Sequence, residues 1–270
     1  MDGFAEILII QLVDWREHLK TILIVLSLLS CVLLAGTAIA QAPAAQAPAA
    51  ASSHTPFTVG VAARASTLGF GADIAVPVMH RANARVGFNF FNYDRTFDKD
   101  KITYAGTLHL ESVQALFDLF PFAGNFHVSP GVLLYNGNRV NANASAPISQ
   151  TFTLGGNSYT ATGTLTGTAK MEMNKAAPMF MFGWGNLVPR SHRHIVFSAE
   201  AGFVYQGSPS VTLNLAGNAC TQVAGSPVCG NVASLPIAQT DVAAEQAKLN
   251  HDVSPFKFYP VIAFSFGYKF

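Results

Sequence analysis

From Phe256 to Phe270 the chain alternates without a break. Phe256, Phe258, Pro260, Ile262, Phe264, Phe266, Tyr268 and Phe270 occupy one parity, while Lys257, Tyr259, Val261, Ala263, Ser265, Gly267 and Lys269 occupy the other. Successive side chains of a β-strand point to opposite faces, so this segment predicts a strand with one wall of large apolar groups and one small or polar wall. In a soluble sandwich the large wall faces a core; in a membrane barrel it faces lipid, and the polar wall lines the lumen.

The same period recurs upstream. Ile195, Phe197, Ala199, Ala201 and Phe203 oppose Ser198, Glu200 and Gly202. Leu68, Phe70, Ala72, Ile74 and Val76 oppose Gly69, Gly71 and Asp73; Val86, Phe88 and Phe90 oppose Arg85, Gly87 and Asn89; Phe126 and Val128 oppose His127 and Ser129. Between Tyr104 and Phe120 the apolar parity changes from Leu108 and Leu110 to Val113, Ala115, Phe117 and Leu119, which predicts a β-bulge near Glu111 and Ser112. The segments fit eight strands at about 57–64, 67–78, 84–92, 103–120, 126–137, 164–187, 194–215 and 256–270. Short connectors alternate with long ones, as in membrane barrels with tight turns at one end and long loops at the other. Ten strands is the alternative if 150–168 forms a hairpin within the membrane, but its Thr, Gly and Asn content favours a hairpin in water. Ala65 and Ser66 make a very short first connector, so the first two segments could form one bent strand.

Composition agrees with an apolar chain that is not helical. Only 11% of the 270 residues are charged, against roughly 25% in ordinary soluble domains. A net charge of +1 excludes a nucleic-acid-binding protein that works through a basic surface. The 21 Phe exclude a disordered chain, and 22 Gly with 14 Pro exclude a coiled coil.

Residues 1–40 read as a signal peptide. The apolar run Thr21 to Ala35 follows Arg16 and Lys20 and fades into small residues, and Ala38-x-Ala40 predicts cleavage before Gln41. A permanent anchor and a lipoprotein modified at Cys31 are the weaker alternatives. Asp2, Glu6, Asp14 and Glu17 are unusual in such a leader and suggest a start further downstream. Residues 41–56 form a Pro/Ala-rich linker, leaving 57–270 for the barrel.

With its leader, its alternating strands and a last strand that ends on an aromatic, the chain resembles the bacterial outer-membrane β-barrel proteins of the small OmpA-like type. The resemblance implies an all-β, transmembrane, antiparallel up-and-down barrel in the outer membrane. It implies outer-membrane lipid and lipopolysaccharide as surroundings. It also implies that the barrel assembly machinery reads the final strand through Phe264, Phe266, Tyr268 and Phe270. It is nearly silent on activity.

By parity, Arg64, Asp73, Arg85, Glu111, Asp118, Glu200, Lys257 and Lys269 face the lumen. An eight-stranded barrel has room inside only for side chains, so these charges are expected to pair and plug it. Cys220 and Cys229 lie close together in the last long loop, and an oxidising compartment predicts a disulfide. Residues 241–250 predict a short helix in that loop. Asp94, Asp98 and Asp100 alternate with basic residues and lack calcium-loop spacing, so they read as a solvated loop.

His127-Val128-Ser129 matches the His-x-Ser pair of lipid A deacylase barrels, but it follows a short turn on the wrong side of the membrane for lipid A. His192 and His194 fall in another such turn. No zinc pattern, phosphate loop or nucleophile elbow occurs. The expectation is therefore a non-enzyme without cofactor or metal, acting as a structural, surface-binding or narrow-transport barrel. A porin-like solute channel and a lipid A-modifying enzyme are the alternatives.

Overall fold

The structure, a computed structural model, describes residues 58–270 apart from Asp100 and Ala123. The leader, the linker, Phe57 and Cys31 lie outside the described residues. Fifteen strands and one helix follow in chain order among the described residues: β1 Gly60–Ser66, β2 Gly69–Met79, β3 Ala82–Lys99, β4 Ile102–Leu119, β5 Phe126–Asn136, β6 Arg139–Ala146, β7 Thr151–Leu154, β8 Asn157–Ala161, β9 Leu165–Glu172, β10 Ala177–Trp184, β11 Ile195–Tyr205, β12 Ser210–Ala216, β13 Asn218–Val223, β14 Ser226–Asn231, helix α1 Pro236–Val253 and β15 Phe258–Lys269.

Eight strands close on themselves in the order β1-β2-β3-β4-β5-β10-β11-β15, every pair antiparallel. Closure removes every edge from the membrane-spanning sheet, which a strand in lipid requires because no water is there to satisfy free N–H and C=O groups. The outer surface carries the large parity. Phe70, Ile74, Val86, Phe88, Phe90, Phe197, Phe258 and Phe266 are all exposed, Phe266 by 63%. In water so continuous an apolar belt would aggregate; in a bilayer it is the solvated face. Trp184, Phe122, Phe126, Tyr268 and Phe270 form aromatic contacts where β1 begins and β15 ends, hereafter the near end.

Two barrel strands are much longer than a crossing needs. β3 and β4 have 18 residues each, against roughly 9–11 for a tilted transmembrane strand. Their far halves leave the barrel and continue as a sheet with β6, β9 and β12. A second sheet, β14-β13-β8-β7, and helix α1 complete a platform at the far end. The backbone N–H groups of Val211 and Leu213 on the edge strand β12 donate to the side-chain amides of Asn250 and Gln246 on α1, at 2.7 and 2.9 Å. The helix thus covers an edge that would otherwise be free to pair.

This platform corrects several expected boundaries. The segment 164–187 is two strands, β9 in the platform and β10 in the barrel; 194–215 is likewise divided into β11 and β12. The hairpin at 150–168 is β7–β8 in the second sheet, outside the barrel, so the barrel has eight strands and not ten. Residues 67 and 68 separate β1 from β2, which are distinct strands. The phase change in β4 has a different cause from the one expected. β4 runs against β3 in unbroken register from 102 to 119, and the register shift falls between β4 and β5, where Leu134 is passed over. Apolar residues change parity in β4 because the strand leaves lipid: below the change they face outward, and above it Leu110 and Tyr104 are buried on the inner side.

Candidate functional site: a closed, charged lumen

The lumen is filled in three layers. At the far end Leu68, Leu133, Met179, Met181, Val204 and Val261 pack into an apolar cluster. At the near end Ala62, Ala75 and Val196 pack against Leu187 and Val188 from the β10–β11 connector. That connector folds under the barrel mouth and is clamped there. Lys269 Nζ donates to the carbonyls of Pro189 and Ser191 at 2.9 and 2.5 Å, Arg190 donates to the carbonyl of Met79, and Asn83 Nδ2 donates to Asn186 Oδ1 at 2.9 Å.

Between the two apolar layers lies a charged one. Arg85 Nη1 donates to Glu200 Oε2 at 2.8 Å, and Arg85 Nη2 bonds both Glu200 Oε1 and, at 2.9 Å, Asp118 Oδ1. Arg64 Nη1 bridges Asp73 at 2.9 Å and Glu200 at 3.1 Å. His127 Nε2 stands 2.9 Å from Glu200 Oε1, Ser129 Oγ donates to Asp118 at 2.6 Å, and Gln114 Nε2 donates to Asp73 at 3.3 Å. Each of the five charged side chains is at least nine-tenths buried. Two arginines against three carboxylates leave one negative charge, which the imidazole of His127 balances when protonated. Burial makes such a network costly unless each charge is matched, and here every charged group has an ionic partner.

Backbone spacing makes room for it. Gly87 lies on β3 opposite Asp73, and a Cβ there would stand 2.0 Å from Asp73 Oδ1 and 2.9 Å from Gln114 Nε2. Glycine at this position lets the carboxylate reach the arginines.

Of the eight charges expected in the lumen, Arg64, Asp73, Arg85, Asp118 and Glu200 come together in this layer. Glu111, Lys257 and Lys269 do not. Glu111 points outward because β4 has no bulge to reverse its parity; its side chain is exposed and lies 3.2 Å from His109 Nε2. Lys257 precedes β15 at the far rim and is exposed. Lys269 has inward parity but sits at the near mouth, where it holds the connector. His127 and Ser129 belong to the network, and their inward parity was legible in the strand. Gln114 has the same parity as Asp118 and was equally legible but, being uncharged, did not stand out among the lumen charges. In the far loops Cys220 and Cys229 pair across β13 and β14 and are disulfide-bonded. The expected helix runs from Pro236 to Val253, and its Asp241 accepts from Tyr159 Oη at 2.5 Å. Burial first, and this bond second, push the Tyr159 phenol above its ordinary range. Phe264, Phe266, Tyr268 and Phe270 lie on or just after the final strand, with the Phe270 N–H bonded to the carbonyl of Val59.

The chemistry open to this layer is narrow. The Ser129 hydroxyl donates to Asp118 while His127 faces Glu200, so the Ser–His hydrogen bond that activates a nucleophile is not formed. Asp118, His127 and Glu200 each offer a ligand atom within 4.8 Å of the others. The Arg85 guanidinium already bonds both carboxylates, and a divalent cation would have to displace it.

No protein-family model matches the chain, and no curated protein matches it. Among solved structures it is similar to Acinetobacter baumannii CarO, at 21% identity and TM-score 0.48 over 78% of this chain and 97% of that one. It is also similar to Acinetobacter baumannii CarO2, at 14% identity and TM-score 0.49 over 79% and 99%. A third is a major outer membrane protein from Thermus thermophilus, at 14% identity and TM-score 0.29 over 80% and 100%.

Proposed function

We propose that this outer-membrane-type barrel is a non-conducting, non-catalytic anchor that holds an ordered binding platform outside the bacterial outer membrane. What carries the reading is the three-layer filling of the lumen: an ion-paired layer lies between apolar layers, and the near mouth is blocked by a clamped connector. A hydrated solute would have to break buried ion pairs, at several kcal/mol each, to pass. This speaks against both a porin-like channel and a narrow transport path. Against a lipid A-modifying enzyme stand the separate partners of His127 and Ser129 and their burial inside the plug. The platform gives the anchor its purpose: two sheets and a helix, braced by a disulfide, are far more structure than strand connection requires.

In this reading residues 1–40 direct export and are removed, and the barrel assembly machinery recognises the alternating Phe264, Phe266, Tyr268 and Phe270. The apolar belt sits in outer-membrane lipid, and the platform stands among lipopolysaccharide. Conductance in planar bilayers tests the function. Purified, folded protein is expected to give no steady single-channel steps; reproducible open states in the wild-type protein would overturn the anchor reading and restore the channel. Deletion of Phe270 tests the assembly route, with a marked loss of heat-modifiable, membrane-inserted protein expected in cells.

A further inference from the structure

We infer that one arc of the near rim is a binding site for anionic phospholipid headgroups, an inference that rests on the reading of the far end as a surface platform and so of the near end as the one facing inward. The near rim is built from the start of β1, the β2–β3 turn, the β4–β5 turn, the β10–β11 connector and the end of β15. These segments carry Arg81, Arg190, Arg193 and Lys269, with His80, His192 and His194 beside them, and no Asp or Glu among the described residues. The terminal carboxylate at Phe270 offsets at most one of these four permanent charges. Elsewhere the signs are mixed. Segments 92–111, 138–175 and 206–258, which build the far end, hold eight basic and eight acidic residues. In the lumen layer Arg64 and Arg85 meet Asp73, Asp118 and Glu200.

The fold gathers these cations instead of spreading them. Arg190 Nη2 donates to the carbonyls of Met79 and Ala82, the residues on either side of His80 and Arg81, with 3.5 Å to Ala82. The Lys269 N–H donates to the carbonyl of His194 at 2.8 Å, and His194 Nδ1 lies 2.9 Å from the Lys269 carbonyl, so Arg193 and Lys269 share a second station. β1 pairs with β2 on one side and β15 on the other, which puts both stations on one arc of the rim. Like charges set together without an acidic side chain repel, and a bound anion removes that cost. Arg81 and Arg193 are exposed and form no ion pair among the described residues. Arg190 and Lys269 hold the connector and still have N–H groups to spare.

Position selects the anion. Met79 precedes His80 and Arg81, Ile195 follows His194, and Tyr268 and Phe270 flank Lys269; all four of these apolar or aromatic side chains are exposed. The cations therefore follow directly on the lipid belt, at the depth where headgroups lie. A guanidinium presents its N–H groups as a fork that matches phosphate oxygens, and an ammonium meets them as a point charge. Below the cations Val61, Ile74, Phe197 and Phe266 are exposed on β1, β2, β11 and β15, the strands of the same arc, and offer a surface for the acyl chains of the lipid whose phosphate is held. A soluble anion would use the cations alone. On the opposite arc the rim is aromatic, with Phe122, Phe126 and Trp184 in contact, and segment 120–126 carries no charge. The site is thus an arc and not a ring.

Electron spin resonance of the full folded protein in phosphatidylcholine vesicles tests this, with a trace of acyl-chain spin-labelled phosphatidylglycerol or phosphatidylcholine as the probe. The motionally restricted fraction of each label gives their relative association with the barrel surface. Each basic residue at an anionic headgroup favours binding by about fivefold at the site, so a preference for phosphatidylglycerol of about twofold or more is expected when averaged over the whole barrel surface. Arg81→Gln with Arg193→Gln removes one exposed cation from each station and leaves the connector's clamps in place. It should bring the preference close to equality while keeping the heat-modifiable shift of the folded barrel. Lys248→Gln with Lys257→Gln removes the same charge from exposed far-end positions and should leave the preference unchanged. Equal association of both labels with the wild type overturns the lipid site. So does a preference that survives the near-rim variant, or one that the far-end variant abolishes. A preference lost in phosphate buffer but kept in chloride of the same ionic strength would assign the arc to free phosphate, and the lipid site would fall. None of these outcomes bears on bilayer conductance, so the site and the anchor reading fail separately.

Discussion

Glu200 is the residue on which the lumen depends most. Its two carboxylate oxygens receive both arginines and His127. Glu200→Ala would leave Arg85 with only Asp118 and a longer contact to Asp73, and His127 with no carboxylate partner. Removing one member of a buried ion pair costs about 3–5 kcal/mol, and that loss is expected in reversible unfolding of the barrel in lipid vesicles. Glu200→Gln keeps the shape but removes the charge, and should cost clearly less than Glu200→Ala if packing contributes, or as much if charge alone decides. Gly87→Ala tests the same layer from the backbone side. The added methyl would collide with the Asp73 carboxylate, and overpacking of this kind costs about 1–3 kcal/mol. The same unfolding assay reads it, and an unchanged midpoint would mean that Asp73 can retreat without losing Arg64.

At the scale of elements, the barrel strands and the platform draw on different stabilising forces. The Cys220–Cys229 bond closes a short hairpin within the platform, with a separation of nine residues. By loop-closure reckoning it contributes about 2–3 kcal/mol, and that contribution stays in the second sheet. Replacing both cysteines with serine should leave the barrel's unfolding midpoint unchanged while raising protease cleavage in 217–232; a fall in barrel stability would show that platform and barrel unfold together. Strand β11 supplies the matching test of the membrane face. Phe197 and Ser198 are neighbours, one 58% exposed on the lipid side and the other 2% exposed beside Ser265. Phe197→Arg should cost about 2–4 kcal/mol near the midplane. Ser198→Arg places a third guanidinium in a filled layer, where Glu200 offsets part of the charge but nothing offsets the volume. The two side chains are expected to respond differently to bilayer thickness: only the lipid-facing variant should recover in thinner vesicles, because only it can reach the interface.

On the scale of the whole molecule, period-two alternation determined the barrel. The lipid face and the lumen face of each strand could be read from parity, because a strand that meets lipid on one side and packed side chains on the other has no freedom to mix them. Arg64, Asp73, Arg85, Asp118 and Glu200 were legible as lumen charges for that reason. Glu111 was not, because parity carries meaning only within the membrane. Above it β4 continues into water, and apolar residues exchange faces without any change in backbone register. The two lysines had the correct parity but the wrong depth, and alternation does not encode depth. Nor does it encode which connectors fold back: Leu187 read as the end of a strand and Val188 as the start of a turn, and both prove to be the near plug. The platform was the least legible part. Its strands are separated by long stretches of chain, and β12 meets β9, or β9 meets β6, only because β3 and β4 outrun the bilayer and offer an open edge. Local sequence specifies which residues can form a strand and which side of it is apolar; the partner of an edge is decided only when distant segments close on one another.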